Sequence, residues 1–164
     1  MTNKVKTLHK ILLLFLDIDG VLNNFKWSEN HPSGLLYRTL DDIDPGNIKL
    51  LSELLAQYPE IKIVIMSDWR KLITLSELKV IFNHFKVNPD QIIGYTPAVA
   101  KSQNREDEVL MFLKDYPSEN YALVDNDDFF TKLKSKLVLT DPQIGLTNNS
   151  ILEIKNILDL NEVK

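Results

Sequence analysis

Five short apolar segments alternate along the chain with longer segments in which apolar residues recur at helical spacing. The apolar segments are continuous rather than alternating, which is typical of parallel strands that are covered on both faces. The pattern predicts strands at Ile11–Leu16, Ile61–Met66, Gln91–Gly94, Tyr121–Val124 and Lys136–Thr140.

Four helices are predicted, three between these strands and one after the last strand. Asp44 and Pro45 are typical residues for an N-cap and a first helical position, and this helix is predicted to end near Gln57. The other helices are predicted at 74–85, at 104–116 and after Thr147. Strands and helices that alternate through right-handed crossovers predict a Rossmann-like α/β fold. We expect a three-layer sandwich with a five-stranded parallel sheet in the order 3-2-1-4-5.

The chain of 164 residues is predicted to form one domain, 1–164. Between the first strand and the first helix, residues 23–43 contain Pro32 and Gly34 and show no sustained periodicity. Long loops in compact domains are often lids. This segment leaves the carboxyl end of the first strand, so it is predicted to be a flap or a minimal cap over that end.

Composition limits the chemistry that the chain can support. It contains no cysteine, which excludes disulfides and thiolate metal sites, and its three histidines are too scattered to indicate zinc. Any metal would therefore be held by oxygen atoms. The apolar run that follows the N-terminal lysines is interrupted by Asp17, which argues against a signal peptide, and no run is long enough to span a membrane. A cytoplasmic location is predicted, with export by a signal-less route as the alternative; no oligomeric state is predicted.

Polar side chains follow three of the predicted strands at the point where each strand ends. Because the carboxyl ends of parallel strands meet at one edge of the sheet, these side chains are expected to form a site there. They are Asp17 and Asp19 after the first strand, Ser67, Asp68 and Arg70 after the second, and Asp125–Asp128 after the fourth.

A cluster of Asp17, Asp19, Asp125 and Asp127 would need a cation to offset its charge, and Mg²⁺ prefers such oxygen ligands. In such a site one aspartate could attack phosphorus and form an aspartyl-phosphate. The aspartate two residues later could donate a proton to the leaving group and then activate water. The Ser67 hydroxyl and a cationic side chain would hold the phosphoryl oxygens.

The same residues carry a family resemblance that covers nearly the whole chain. The sequence DIDGVL at 17–22 resembles the first motif of the haloacid dehalogenase (HAD) superfamily of phosphohydrolases. Ser67 resembles the second motif, and the acidic segment 125–128 resembles the fourth. Lys101 is the candidate for the lysine of the third motif, with Arg105 as the alternative.

A finer resemblance is to the small HAD domains of Swiss Army knife RNA repair proteins. It rests on the segments IMSDWR (65–70), REDEV (105–109), VDND (124–127), LVLTDP (137–142) and GLT (145–147). This resemblance implies a Mg²⁺-dependent phosphatase with little or no cap that acts on RNA or DNA ends or on nucleotides. A non-catalytic HAD-like module that binds phosphate or a partner is the alternative.

The resemblance also implies roles for individual residues. Asp17 would be the nucleophile, with the carbonyl of Ile18 on the metal, and Asp19 the general acid and base. Asp125 and Asp127 would bind Mg²⁺ together with these aspartates. Predicted substrate contacts are Ser67, Asp68, Arg70, and Lys101 or Arg105. Asn126 departs from the family pattern, where a third aspartate is expected. Trp69 could stack on a base, or it could be a packing residue.

Overall fold

The computed structural model describes residues 11–32, 37–98 and 104–160. Its centre is a sheet of five parallel strands in the order β3-β2-β1-β4-β5. The strands are β1 (Leu12–Leu16), β2 (Ile61–Ile65), β3 (Ile92–Tyr95), β4 (Tyr121–Asp125) and β5 (Leu137–Leu139). Helices cover both faces of the sheet. The predicted strand order and the Rossmann-like fold class are therefore confirmed.

The central strand β1 accounts for the division of the core into two parts. All five of its residues are buried, and alternate side chains point to opposite faces of the sheet. Leu12, Leu14 and Leu16 pack into the larger apolar cluster. Leu13 and Phe15 pack into the smaller one. A strand buried on both faces has no polar position, which is why it is a continuous apolar run in the sequence.

Four of the five helices lie where the sequence predicts them. They are α2 (Pro45–Gln57), α3 (Leu75–His84), α4 (Arg105–Asp115) and α5 (Asn148–Ile157). Helices α2, α3 and α5 contribute buried side chains to the larger cluster, whereas α4 packs alone among the helices on the smaller one. The α2 N-terminus is capped as predicted, because the Asp44 side chain accepts a hydrogen bond from the backbone N–H of Gly46.

Helix α1 (Phe25–Asn30) lies in the 23–43 segment, which was predicted to be irregular. Its N-cap is Asn24, whose side chain accepts a hydrogen bond from the Trp27 N–H at 2.8 Å. The rings of Trp27 and His31 stack with their centroids 3.7 Å apart. No residue of α1 is buried, so no apolar stripe marks this helix in the sequence.

None of the helices in the described ranges is long and apolar enough to cross a membrane.

Candidate active site

The carboxyl end of β1 places Asp17 at the centre of the site. Its backbone N–H still bonds to the Val124 carbonyl at 3.0 Å, so Asp17 continues the sheet pairing while its side chain faces the sheet edge. The residue is only 2% exposed. The next residues form a tight turn, in which the carbonyl of Ile18 accepts bonds from the N–H groups of residues 21, 22 and 23. Three backbone donors therefore occupy the Ile18 carbonyl, and its use as a metal ligand stays a prediction.

Residues far along the chain hold this turn in place. Gly20 has a φ of 74°, and its carbonyl accepts a hydrogen bond from the Thr140 hydroxyl at 2.9 Å. The Leu146 N–H donates to the Val21 carbonyl at 2.8 Å. A Cβ on Gly20 would lie 2.7 Å from the side chain of Asn126. The β1 turn is therefore clamped between the β4 end and the segment that follows β5.

Arg105, the first residue of α4, lies between the two buried aspartates of the site. One guanidinium nitrogen lies 2.9 Å from Asp17 Oδ1 and 3.8 Å from Asp125 Oδ2. The same nitrogen donates to the Met66 carbonyl at the end of β2. Asp125 is fully buried, and its Oδ1 accepts a hydrogen bond from the Asp127 N–H at 2.9 Å. One cation thus joins the ends of β1, β2 and β4.

Burial raises the pKa of both aspartates. Desolvation raises the pKa of Asp17 from 3.8 to about 6, although the charge of Arg105 and hydrogen bonds from Ile18 and Ser67 oppose the rise. Desolvation and the charge of Asp17 raise the pKa of Asp125 from 3.8 to about 7, again against the effect of Arg105. Two buried carboxylates that lie close together hold protons tightly unless a positive charge lies beside them.

Asp17 and Asp125 fit a hard cation. Asp125 Oδ2 is buried and accepts no hydrogen bond from the described residues. An orphaned carboxylate oxygen beside a second buried carboxylate is a donor pair that Mg²⁺ satisfies well. Within the described ranges, however, no three acidic or histidine side chains are grouped closely enough to hold an ion together. The four predicted metal ligands therefore do not form one cluster in this conformation.

Two donors hold the Asp19 side chain. Its Oδ1 accepts a hydrogen bond from Asn23 Nδ2 at 2.7 Å and another from Trp69 Nε1 at 3.0 Å. Trp69 is fully buried in the larger apolar cluster, so its ring is not available to stack on a base. Ser67, the N-cap of the short turn that contains Trp69, is 1% exposed, and hydrogen bonding from its side chain lowers the pKa of Asp17.

The other predicted site residues lie in different surroundings. Asp127 is exposed, and Asp68 is exposed and paired with Lys71 at 2.9 Å. Arg70 forms a bidentate ion pair with Glu108 of α4, with nitrogen–oxygen distances of 2.6 and 2.8 Å. Both guanidinium ends of Arg70 are thus held inside the protein. Lys101 lies outside the described residues.

Several residues of the site region were not singled out from the sequence. Glu108 also accepts a hydrogen bond from Thr96, so it ties the ends of β2 and β3 to α4. Glu106 accepts hydrogen bonds from the N–H groups of Thr131 and Leu133, which fixes the loop after β4. Acidic residues are common in the first turn of any helix, so their type alone did not mark them. The amide of Asn23, four residues after Asp19, was a signal that could have been used.

Two further side chains lie near residues of this site. Arg38, from the 23–43 segment, places its guanidinium 5.4 Å from the centre of the Trp69 ring. Phe129 is 77% exposed and lines a cavity of about 420 Å³. Arg105 and Asp127 line the same cavity, so the cavity contacts the side chain that pairs with Asp17.

Comparison with known protein families gives a match that covers most of the chain. The model of a family described as "HAD domain in Swiss Army Knife RNA repair proteins" matches residues 13–151. The matched range runs from β1 into α5 and includes every side chain of the site described above. No curated protein and no solved structure matches the chain.

Proposed function

Because the chain belongs to the family of HAD domains found in Swiss Army Knife RNA repair proteins, we propose that it is a Mg²⁺-dependent phosphatase with Asp17 as nucleophile. Membership of this family supports a phosphohydrolase activity in general. The observation that carries the finer proposal is the buried Asp17 carboxylate, held by Arg105 and Ser67 at the sheet edge with Asp19 two residues away.

In the first step a carboxylate oxygen of Asp17 forms a bond to phosphorus while the bond from phosphorus to the leaving oxygen breaks. Asp19 gives its proton to that oxygen, which leaves as an alcohol. Arg105 favours the ionised form of Asp17, which is the form that can attack. The Ser67 hydroxyl lies beside Asp17, where it can donate to a phosphoryl oxygen.

In the second step the ionised Asp19 takes a proton from water, and the water oxygen attacks phosphorus. The bond to Asp17 breaks, which releases inorganic phosphate and restores both carboxyl groups. Asp17 and Asp125 are the residues that would hold Mg²⁺, because Asp125 Oδ2 has no hydrogen-bond donor in the described ranges. When bound, Mg²⁺ would offset negative charge on the two aspartates and on the phosphoryl group.

We propose phosphorylated nucleic-acid ends or nucleotides as the substrates. The description of the matching family supports this class, and so does the exposed ring of Phe129 in the cavity that opens beside Arg105. Aromatic side chains next to a phosphate site are common platforms for nucleobases.

The test is phosphate release from phosphorylated oligonucleotides and nucleotides, with Mg²⁺ and with a chelator. The wild type should be active only with Mg²⁺, and Asp17→Asn should be inactive. Asp90→Asn makes the same chemical change at an exposed position and should be as active as the wild type. An Asp17→Asn protein that is as active as the wild type would show that Asp17 is not the nucleophile. A wild type that binds beryllofluoride but releases no phosphate would instead indicate a phosphate-binding module.

A further inference from the structure

We infer that Trp69 and Asn23 are positioning residues that fix the catalytic proton of Asp19 on one oxygen atom. The inference rests on the proposed phosphatase function and concerns the step in which the leaving group departs. It assigns to Trp69 and to Asn23 a role beyond packing.

The first argument is that both donors converge on the same oxygen. Trp69 Nε1 lies 3.0 Å and Asn23 Nδ2 lies 2.7 Å from Asp19 Oδ1. The indole nitrogen can only donate a hydrogen bond. The amide of Asn23 is oriented by Gly20, whose N–H donates to Asn23 Oδ1 at 3.1 Å. Both groups therefore present hydrogen atoms to Asp19 Oδ1.

An oxygen that accepts two hydrogen bonds is a poor place for a proton. When Asp19 is protonated, the proton consequently resides on Oδ2. No hydrogen bond to Oδ2 is seen among the described residues. Asp19 is also partly exposed, whereas Asp17 is buried, which suits a group that exchanges protons with an alcohol and with water.

The second argument is that the donors themselves cannot move easily. Trp69 is fully buried in the larger apolar cluster, so its ring orientation is fixed by packing. Its backbone N–H also bonds to the Ser67 hydroxyl oxygen at 3.4 Å. The short turn from Ser67 to Trp69 thus places a hydroxyl beside Asp17 and an indole N–H on Asp19. Nucleophile and acid are held by the same rigid segment.

The consequence for the reaction depends on the leaving group. As the phosphorus–oxygen bond of an alkyl phosphate breaks, the leaving oxygen needs the proton from Asp19 Oδ2. A 4-nitrophenolate ion departs without a proton. A misplaced Asp19 should therefore impair hydrolysis of alkyl phosphates much more than hydrolysis of 4-nitrophenyl phosphate.

The experiment compares kcat/KM for 4-nitrophenyl phosphate with kcat/KM for the nucleotide that the wild type hydrolyses fastest. This constant covers the steps up to formation of the aspartyl-phosphate, so it excludes the second step, which is common to all substrates. Trp69→Phe removes the N–H and keeps an aromatic ring. Asn23→Asp keeps the shape and the acceptor for the Gly20 N–H. It replaces the donor to Asp19 by a carboxylate oxygen, which draws the proton of Asp19 to Oδ1.

Both variants should lower kcat/KM for the nucleotide by roughly tenfold or more, since general acid catalysis contributes about 10²–10⁴-fold. The constant for 4-nitrophenyl phosphate should change much less. Trp27→Phe and Asn30→Asp are matched controls, because Trp27 Nε1 bonds to the Asp41 carbonyl and Asn30 Nδ2 bonds to the Lys26 carbonyl, both at exposed positions. The controls should leave both constants unchanged.

An equal loss on both substrates, or no loss on either, would overturn the inference and leave the proposed function standing. A wild type that hydrolyses neither substrate would overturn the proposed function itself. If Trp69→Phe folds poorly, as a thermal melt would reveal, the same comparison on Asn23→Asp decides the question, because this isosteric change lies outside the apolar core.

Discussion

One guanidinium nitrogen of Arg105 lies 2.9 Å from Oδ1 of Asp17. The contact joins the first residue of α4 to the residue that follows β1, so the helix on one face of the sheet supplies a charge to the site at its edge. The Arg105 side chain is 25% exposed, whereas that of Asp17 is 3% exposed, so the ion pair is largely shielded from water.

Replacement of Arg105 by Met should destabilise the protein at neutral pH and reduce activity. The change leaves Asp17 and Asp125 buried without a positive partner, which we expect to lower the free energy of unfolding by about 3 kcal/mol. Urea unfolding and phosphate release measure the two effects. Arg105→Lys keeps the charge and should retain part of both properties. Equal stability of the wild type and Arg105→Met would contradict the stabilising role of the ion pair.

The raised pKa values of Asp17 and Asp125, about 6 and about 7, predict a pH-dependent stability without metal. Both groups hold protons more tightly in the folded protein than in the unfolded chain. Their contribution to the free energy of unfolding is therefore complete below about pH 4. It is lost as the pH rises through 6 and 7. In the presence of a chelator, the melting temperature of the wild type should therefore fall more steeply between pH 5 and 8 than that of Asp125→Asn.

Mg²⁺ should reverse this loss, because a bound cation favours the ionised carboxylates. The stabilisation by Mg²⁺ should be larger at pH 8 than at pH 5, and it should be much smaller in Asp125→Asn. Parallel melting curves for the two proteins at all pH values would count against the assignment of Asp125.

Gly20→Ala should damage both stability and the site. The φ of 74° disfavours a residue with a side chain by roughly 1–2 kcal/mol, and the new Cβ would contact Asn126 at 2.7 Å. The strain falls next to Asp19, so kcat should drop as well. Gly94→Ala is the control, because a Cβ there meets no atom within 4 Å. Unfolding in urea and phosphatase assays on both variants would check this, and similar behaviour of the two would argue against it.

Arg70 is predicted to support the fold rather than to bind phosphate. Arg70→Lys loses the two parallel hydrogen bonds to Glu108 and should lower the unfolding free energy by about 1–2 kcal/mol. The effect of Glu108→Gln should not add to it, because the two changes remove the same interaction. The KM for the substrate should stay unchanged. A raised KM with unchanged stability would instead indicate that Arg70 contacts the substrate, as the sequence predicted.

Phe129→Leu should weaken the binding of nucleotides more than the binding of glycerol phosphate. Stacking of a base on an aromatic ring contributes about 1–3 kcal/mol, so KM for a nucleotide should rise roughly tenfold. Glycerol phosphate has no ring, and its KM should stay constant. Tyr116→Leu removes another exposed aromatic ring that lines a different cavity, and it serves as the control. Equal effects on both substrates would exclude stacking of a nucleobase on the Phe129 ring.

The fold could be predicted because its main determinants are periodic. Strand β1 is buried at every position, and α2 begins with a capping aspartate and a proline, so both leave local signals. The convergence of Asp17, Ser67 and Asp125 follows from the parallel order of the strands, although their chemical roles stay predictions. Helix α1 buries nothing and has no such signal.

The partners of individual side chains could not be predicted in the same way. Whether Arg70 meets a substrate or Glu108 depends on the rotation of α4 about its axis, which places Glu108 inward. Likewise, the Trp69 N–H reaches Asp19 only because of the short turn after Ser67. Such contacts connect residues 38 and 50 positions apart, and sequence periodicity carries no information on them.

The clamp on the β1 turn has a consequence for protein synthesis. The carbonyls of Gly20 and Val21 are held by Thr140 and Leu146, so the turn that carries Asp19 receives its last supports from residues translated more than a hundred codons later. On the ribosome, Asp17 and Asp19 are synthesised early. The turn that carries them is not stabilised until almost the whole domain has been translated. The nascent chain therefore carries these two aspartates in an unassembled state for most of translation, and any activity of the site should appear late and all at once.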